Sequence, residues 1–216
     1  MLIGLAGYAQ SGKDTVGKVF TERADCTRLA FADYLKDDLA ELEGIPREWL
    51  DDPVRKEQYR EKMKILGRER REEDPFHWID RLRPRWQEDG NYVITDCRYL
   101  NELEEVIDCD GVWFYIIKYR VVDGAEYDTL PANEEEERSF REITEAVWAG
   151  DLPSPGVWAL SPDPRPDGAW RAADGDPDHL IDQATLWIDR HIDLLAYGRQ
   201  GVASSPQGKT ERKVDK

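Results

Sequence analysis

The apolar run Leu2–Ala6 passes directly into Gly7-Tyr8-Ala9-Gln10-Ser11-Gly12-Lys13-Asp14-Thr15, with Val16, Val19 and Phe20 at helical spacing beyond it. A short apolar run broken by glycine and followed by a helical pattern predicts a strand, a tight loop and a helix. In such a loop successive backbone N–H groups converge on one point, and the helix start adds the positive end of its dipole. That combination suits phosphate. Lys13 supplies a mobile cation for β- and γ-phosphates. The spacing is not GxGxxG, which disfavours a nicotinamide dinucleotide site. Residues 7–15 are therefore expected to hold ATP. Asp14 stands where Ser or Thr commonly follows the lysine, and Thr15 comes one position later.

The rest of the chain alternates strands and helices, which implies a mostly parallel sheet covered on both faces. Thr27–Phe31 reads as a second strand, with Asp33 capping a helix that contains Leu35, Leu39 and Leu42. Val54–Leu66 reads as a helix, and Pro75 opens another with Trp78, Ile79 and Leu82 inward. Asn91–Thr95 is a strand ending at Asp96, followed by a helix through Leu100, Leu103, Val106 and Ile107. After Gly111, Val112–Ile117 is apolar enough for a strand buried on both faces. Beyond Arg120 the pattern fades. Residues 134–148 form an acidic helix, whose Glu134–Glu137 run reads as a solvated first turn. Residues 150–178 hold six of the twelve prolines, with Val157–Leu160 a candidate short strand. A last helix starts at Asp176-Pro177 and carries Ile181, Ala184, Ile188 and Leu195; the polar residues 198–216 read as a disordered tail.

Charge narrows the function classes. The 216 residues carry 30 Lys+Arg against 46 Asp+Glu, a formal net charge of -16. That disfavours nucleic acid as the main partner and an anionic membrane surface. No run approaches the length of a membrane helix, and the start lacks a basic lead. Three cysteines without a CxxC pair and three histidines without ligand spacing point away from zinc. The expectation is a soluble cytoplasmic protein. Within residues 54–71, however, eight Lys/Arg stand against three Glu, an island of +5. It is either a solvated helix with internal ion pairs or a pocket for a second phosphate. Asp96, at the carboxyl end of a parallel strand, is either a Mg²⁺ ligand or a helix cap, with Arg98 reaching the same crevice. Cys97 reads as a packing residue, and no nucleophile–base arrangement is present.

These residues resemble the deoxynucleoside monophosphate kinases encoded by phages. Ser11-Gly-Lys-Asp-Thr15 is similar to that family's phosphate loop, Asp included, and Phe31-Ala-Asp33-Tyr-Leu-Lys36 to the segment after its second strand. Tyr59-Arg60 through Leu66-Gly67, then Trp78, resembles its monophosphate-side helix. Thr95-Asp96-Cys-Arg98-Tyr-Leu-Asn101-Glu102, followed by Gly111 and an apolar strand ending at Arg120, completes the likeness over residues 1–120. Two departures stand out. Met63-Lys64 precedes Leu66-Gly67-Arg68 where the family often has Leu-Gln before Leu-Gly-Thr, and Asp128-Thr-Leu-Pro131 lacks the histidine of the family's lid segment.

The resemblance implies a P-loop NTPase-type three-layer α/β sandwich, a parallel sheet flanked by helices. Residues 1–197 would be one kinase domain, with 54–88 the monophosphate-binding region and 121–178 a lid or insertion. The implied reaction is in-line transfer from ATP to a deoxynucleoside monophosphate with Mg²⁺, which needs cations rather than a strong base. Lys13, Arg98 and Arg120 are the expected catalytic residues, with Arg138 or Arg141 also placed to close over the transferred group. Asp33, Lys36, Arg60, Lys64, Arg68, Trp78 and Arg98 are expected on the acceptor, and Thr15, with Asp14 or Asp96, at the metal. A homodimer is compatible with this reading, as is a host-cell cytoplasm. The rivals are a dephospho-coenzyme A kinase, a kinase acting on DNA and an acidic DNA mimic that binds a host protein.

Overall fold

Leu2–Ala6 forms β1, and all five residues are buried. Ile3 and Leu5 pack to one side and Leu2 and Ala6 to the other. A strand with both faces buried has to lie inside a sheet. The computed structural model, which describes residues 1–86, 90–122, 125–128, 131–153, 170–173 and 177–191, places it there. The order is β2 (Thr27–Leu29), β3 (Tyr92–Cys97), β1 and β4 (Val112–Val122), all four parallel. Beyond Ile116, β4 pairs with β6 (Trp170–Ala173) in parallel and with β5 (Ala125–Asp128) antiparallel.

Helices cover both faces, as the alternation of elements implies. On one side α1 (Lys13–Arg23) and α7 (Asp178–Arg190) bury Val16, Phe20, Leu180, Ala184 and Trp187 against Ile3, Leu5 and Phe114. The Trp187 ring meets Phe20 and Phe114 edge-on, at 5.6 and 5.1 Å between centroids. On the other side lie α2 (Phe31–Glu43), α4 (His77–Leu82), α5 (Leu100–Asp108) and α6 (Glu134–Ala149), which share a core around Trp78, Leu103, Val106 and Ile143. Outside α2, α3 (Pro53–Glu73) closes a smaller cluster of Leu39, Leu50, Met63 and Leu66. Its start follows from Pro53 in the first turn and the Asp52 carboxylate, which accepts from the Arg55 N–H at 2.8 Å. The protein is a three-layer α/β sandwich.

Several boundaries differ from those read off the sequence. The second strand stops at Leu29 and Phe31 already begins α2, so Asp33 lies inside the helix rather than at its cap. Its carboxylate instead meets Arg28 at 2.9 Å and Arg47 at 3.5 Å. The fading pattern after Arg120 conceals two strands, because β5 and β6 are short and attach to the outer half of β4. The Arg120 side chain, Val157–Leu160, Leu195 and residues 198–216 lie outside the described residues.

The crossing from α5 to β4 is tight. A Cβ at Gly111 would stand 2.5 Å from the Val106 carbonyl oxygen and 2.7 Å from that of Leu2, both backbone atoms. Gly111→Ala is therefore expected to force β4 away from β1 and to lower stability by about 1–3 kcal/mol. Gly44→Ala, with nothing within 4 Å of its Cβ, should cost only the ~1 kcal/mol of a left-handed helix cap. Thermal melts of the two variants test this.

Candidate active site

The loop between β1 and α1 closes over backbone. Gly7 and Gly12 take positive φ values of 142° and 102°. A Cβ at Gly7 would lie 2.2 Å from the Ile116 carbonyl oxygen, so glycine is required there for the close approach. Lys13 opens α1 yet is only 8 % exposed, and its Nζ donates to the carbonyls of Gly7 at 2.6 Å and Tyr8 at 2.7 Å. Burial, reinforced by the nearby Arg98 cation, pushes its pKa down to about 8, against the pull of Glu136, Asp96 and Asp14. The Ser11 hydroxyl is buried in the loop with no partner among the described residues. An orphaned donor, a buried cation and a glycine cradle together fit a bound phosphate chain.

At the end of β3, Asp96 turns away from the loop. Its Oδ1 accepts from the Phe31 N–H and its Oδ2 from the Ala32 N–H, both at 2.9 Å. It thus caps α2 from another element, which Ala30, the residue at the cap position, cannot do with its own side chain. Burial raises its pKa and the two amides oppose that rise. Of the two readings of Asp96, the helix cap is seen, made to α2, with one backbone N–H on each oxygen. Thr15 and Asp14 remain as oxygen donors at the start of α1. Among the described residues no group of three metal-ligating side chains exists.

Arg98 is presented by a short turn that Glu102 secures. The Glu102 carboxylate accepts from the N–H of Arg98 at 2.6 Å and of Tyr99 at 3.1 Å, forming a capping box at the start of α5. Burial pushes its pKa up to about 7, partly offset by these amides. A pocket opens between this turn, the phosphate loop and α6. Gly7, Tyr8, Lys64, Arg98, Tyr99 and Tyr115 line one side, and Asn133, Glu135, Glu136, Ser139 and Phe140 the other. Phe140 stacks on Tyr115 at 4.6 Å and meets Tyr8 edge-on at 5.0 Å. Tyr99 donates to Glu135, while Arg71 lies 4.1 Å over its ring.

The acceptor-side residues divide. Lys64 and Arg98 reach the pocket. Arg60 pairs with Glu57 at 2.7 Å, Lys64 with Glu61 at 2.6 Å and Arg68 with Glu72 at 3.8 Å, so the row on α3 is largely a solvated face of internal ion pairs. Arg68 does not line the pocket. Trp78 is buried in the core, its indole N–H donating to the Gly67 carbonyl at 3.4 Å. Lys36 is bound to Asp51 at 2.7 Å. Arg138 and Arg141 pair with Glu142 and Glu137 on the exposed side of α6.

Sequence reasoning missed Lys56, half-buried on α3, whose pKa is pushed down by burial and by Lys36, Arg60 and Arg98. It also missed Glu135 and Glu136, read as solvated. The available signal was Asn133, whose side chain accepts from the Glu136 N–H at 2.9 Å; as the helix cap it fixes which glutamates face inward.

No protein-family model matches the sequence, and no curated protein matches it. Among solved structures, shikimate kinase from Aquifex aeolicus vf5 is similar at 12 % identity with a TM-score of 0.40, over 89 % of this chain and 98 % of that one. So distant a likeness bears on neither substrate nor mechanism.

Two outcomes follow from the geometry. An anion on the loop favours the charged form of Lys13, so triphosphate binding should take up a proton near pH 8 and weaken as pH rises above it. Calorimetry in buffers of differing ionisation heat measures this uptake, and Lys13→Met should abolish it. Asp96→Asn leaves one α2 amide facing a donor, and should lower stability by about 1–3 kcal/mol in metal-free, nucleotide-free melts.

Proposed function

We propose that the chain is an ATP-dependent phosphotransferase acting on a deoxynucleoside 5′-monophosphate. The observation that carries the reading is the buried Lys13 inside a strand–loop–helix phosphate cradle, opening onto a pocket that also receives Arg98 and Lys64. The amides of residues 8–15, Ser11 and Lys13 would hold the triphosphate of ATP, and Thr15 with Asp14 would contact Mg²⁺. Bound ATP supplies the phosphoryl group. This chain's own contribution is to orient two polyanions and to exclude water, since a phosphate acceptor is already ionised. Arg98, held by Glu102, offers a planar fork for the acceptor phosphate, with Lys56 and Arg60 behind it. Tyr8, Tyr99, Tyr115 and Phe140 give the pocket aromatic walls suited to a base.

A second reading has its own observation. Glu135 and Glu136 bring carboxylates to the pocket, where a hydroxyl acceptor would find a proton acceptor. A screen of ATP turnover with each dNMP and with small hydroxy acids separates the two. The first reading expects turnover that depends on a dNMP, lost by a hundredfold or more in Lys13→Ala, as for a lost transition-state contact of ~3 kcal/mol. Arg98→Lys should raise the KM for the dNMP while leaving that for ATP unchanged. A folded Lys13→Ala protein with normal turnover contradicts the assignment.

A further inference from the structure

The acidic start of α6 sits against a loop built to bind anions. One of its glutamates occupies that loop. Glu136 Oε1 accepts from the Ala9 N–H at 2.5 Å, and Oε2 accepts from the Ala132 N–H at 2.7 Å. The carboxylate therefore spans from the phosphate loop to the residue preceding the helix cap. Lys13, the loop's cation, is drawn back onto the carbonyls of Gly7 and Tyr8, and the Glu136 charge acts on it.

We infer that Glu136 is a built-in competitor for the phosphate loop, a carboxylate that holds the Ala9 amide until a nucleotide phosphate expels it. This rests on the proposed phosphate-binding role of residues 7–15. An amide N–H pointing at a carboxylate oxygen cannot also serve a phosphate oxygen, and two anions side by side repel. Nucleotide must then bind the form with Glu136 released, and its apparent affinity is reduced by the fraction of protein in that form. Glu136 belongs to the first turn of α6, and Ser139 and Phe140, one turn further along the same helix, stand in the pocket wall. Arrival of the triphosphate is thereby tied to a shift of the wall that the acceptor meets.

The probe is inorganic tripolyphosphate, with ATP alongside, titrated calorimetrically with and without Mg²⁺. Glu136→Gln keeps the size and removes the charge; it should bind tripolyphosphate about tenfold more tightly than the native chain. Glu137→Gln makes the same change of charge one residue on, where Glu137 pairs with Arg141 at 3.1 Å. It should stay within about twofold of the native affinity. In the native protein, hydrogen exchange of the first-turn amides of α6 should speed up when tripolyphosphate is added, a readout that needs no variant. Equal or weaker binding by Glu136→Gln, or unchanged exchange, overturns the inference and leaves the phosphotransferase reading standing. Weaker binding only in the presence of Mg²⁺ overturns it in favour of Glu136 as a metal contact. Failure of native protein and variant alike to bind tripolyphosphate or ATP overturns both readings.

Discussion

A half-buried carboxylate ties the sheet to α2. Asp96 stands at the end of β3, and its two oxygens hold the first amides of α2. Burying that charge is costly, and two N–H groups at a helix start, with the dipole behind them, are among the few partners that offset it. The consequence reaches far from β3. With its start fixed, α2 presents Leu39 and Ala40 to the small cluster that seats α3. It is α3 that carries Lys64 to the pocket. The α3 side of the pocket is thus tied to the sheet through one residue at a strand end.

The charge pattern works on two levels. Along α3, exposed cations are answered by glutamates three or four residues away. Such pairs contribute roughly 0–1 kcal/mol each, so they do little for stability and exchange readily for a ligand. Lys13 and Glu102 differ in kind, because burial moves their pKa values to about 8 and about 7. In a chain of net charge -16, Lys13 is a cation held where water is scarce.

What the sequence made legible follows from how locally each feature is determined. The loop over residues 7–12 depends on glycines set between an apolar run and a helical pattern, and it stands between β1 and α1 as the spacing predicts. The buried strand after Gly111 and the helices over 53–73 and 134–149 follow from period and caps. The partner of Asp96 was not legible. A carboxylate at a strand end looks the same whether it serves a metal or a helix sixty-odd residues away in sequence, and only the packing of α2 decides. Trp78, read as inward, is buried in the core, where one carbonyl satisfies its indole N–H. The inward turn of Glu135 and Glu136 depends on the orientation of α6 over the loop, which no helical period encodes.

The sheet's central strand comes from the first residues of the chain, yet the side of the core that α1 closes is completed by α7. Leu180 lies so near Gly12 that a Cβ there would come within 2.4 Å of it, and Trp187 fills the space between Phe20 and Phe114. During synthesis, β1 and α1 emerge before α7 and keep an uncovered apolar face until residues 178–190 have left the ribosome. The phosphate loop thus acquires its backing last. A ribosome paused before that helix carries a chain whose most recognisable motif is present while the apolar face behind it lies open.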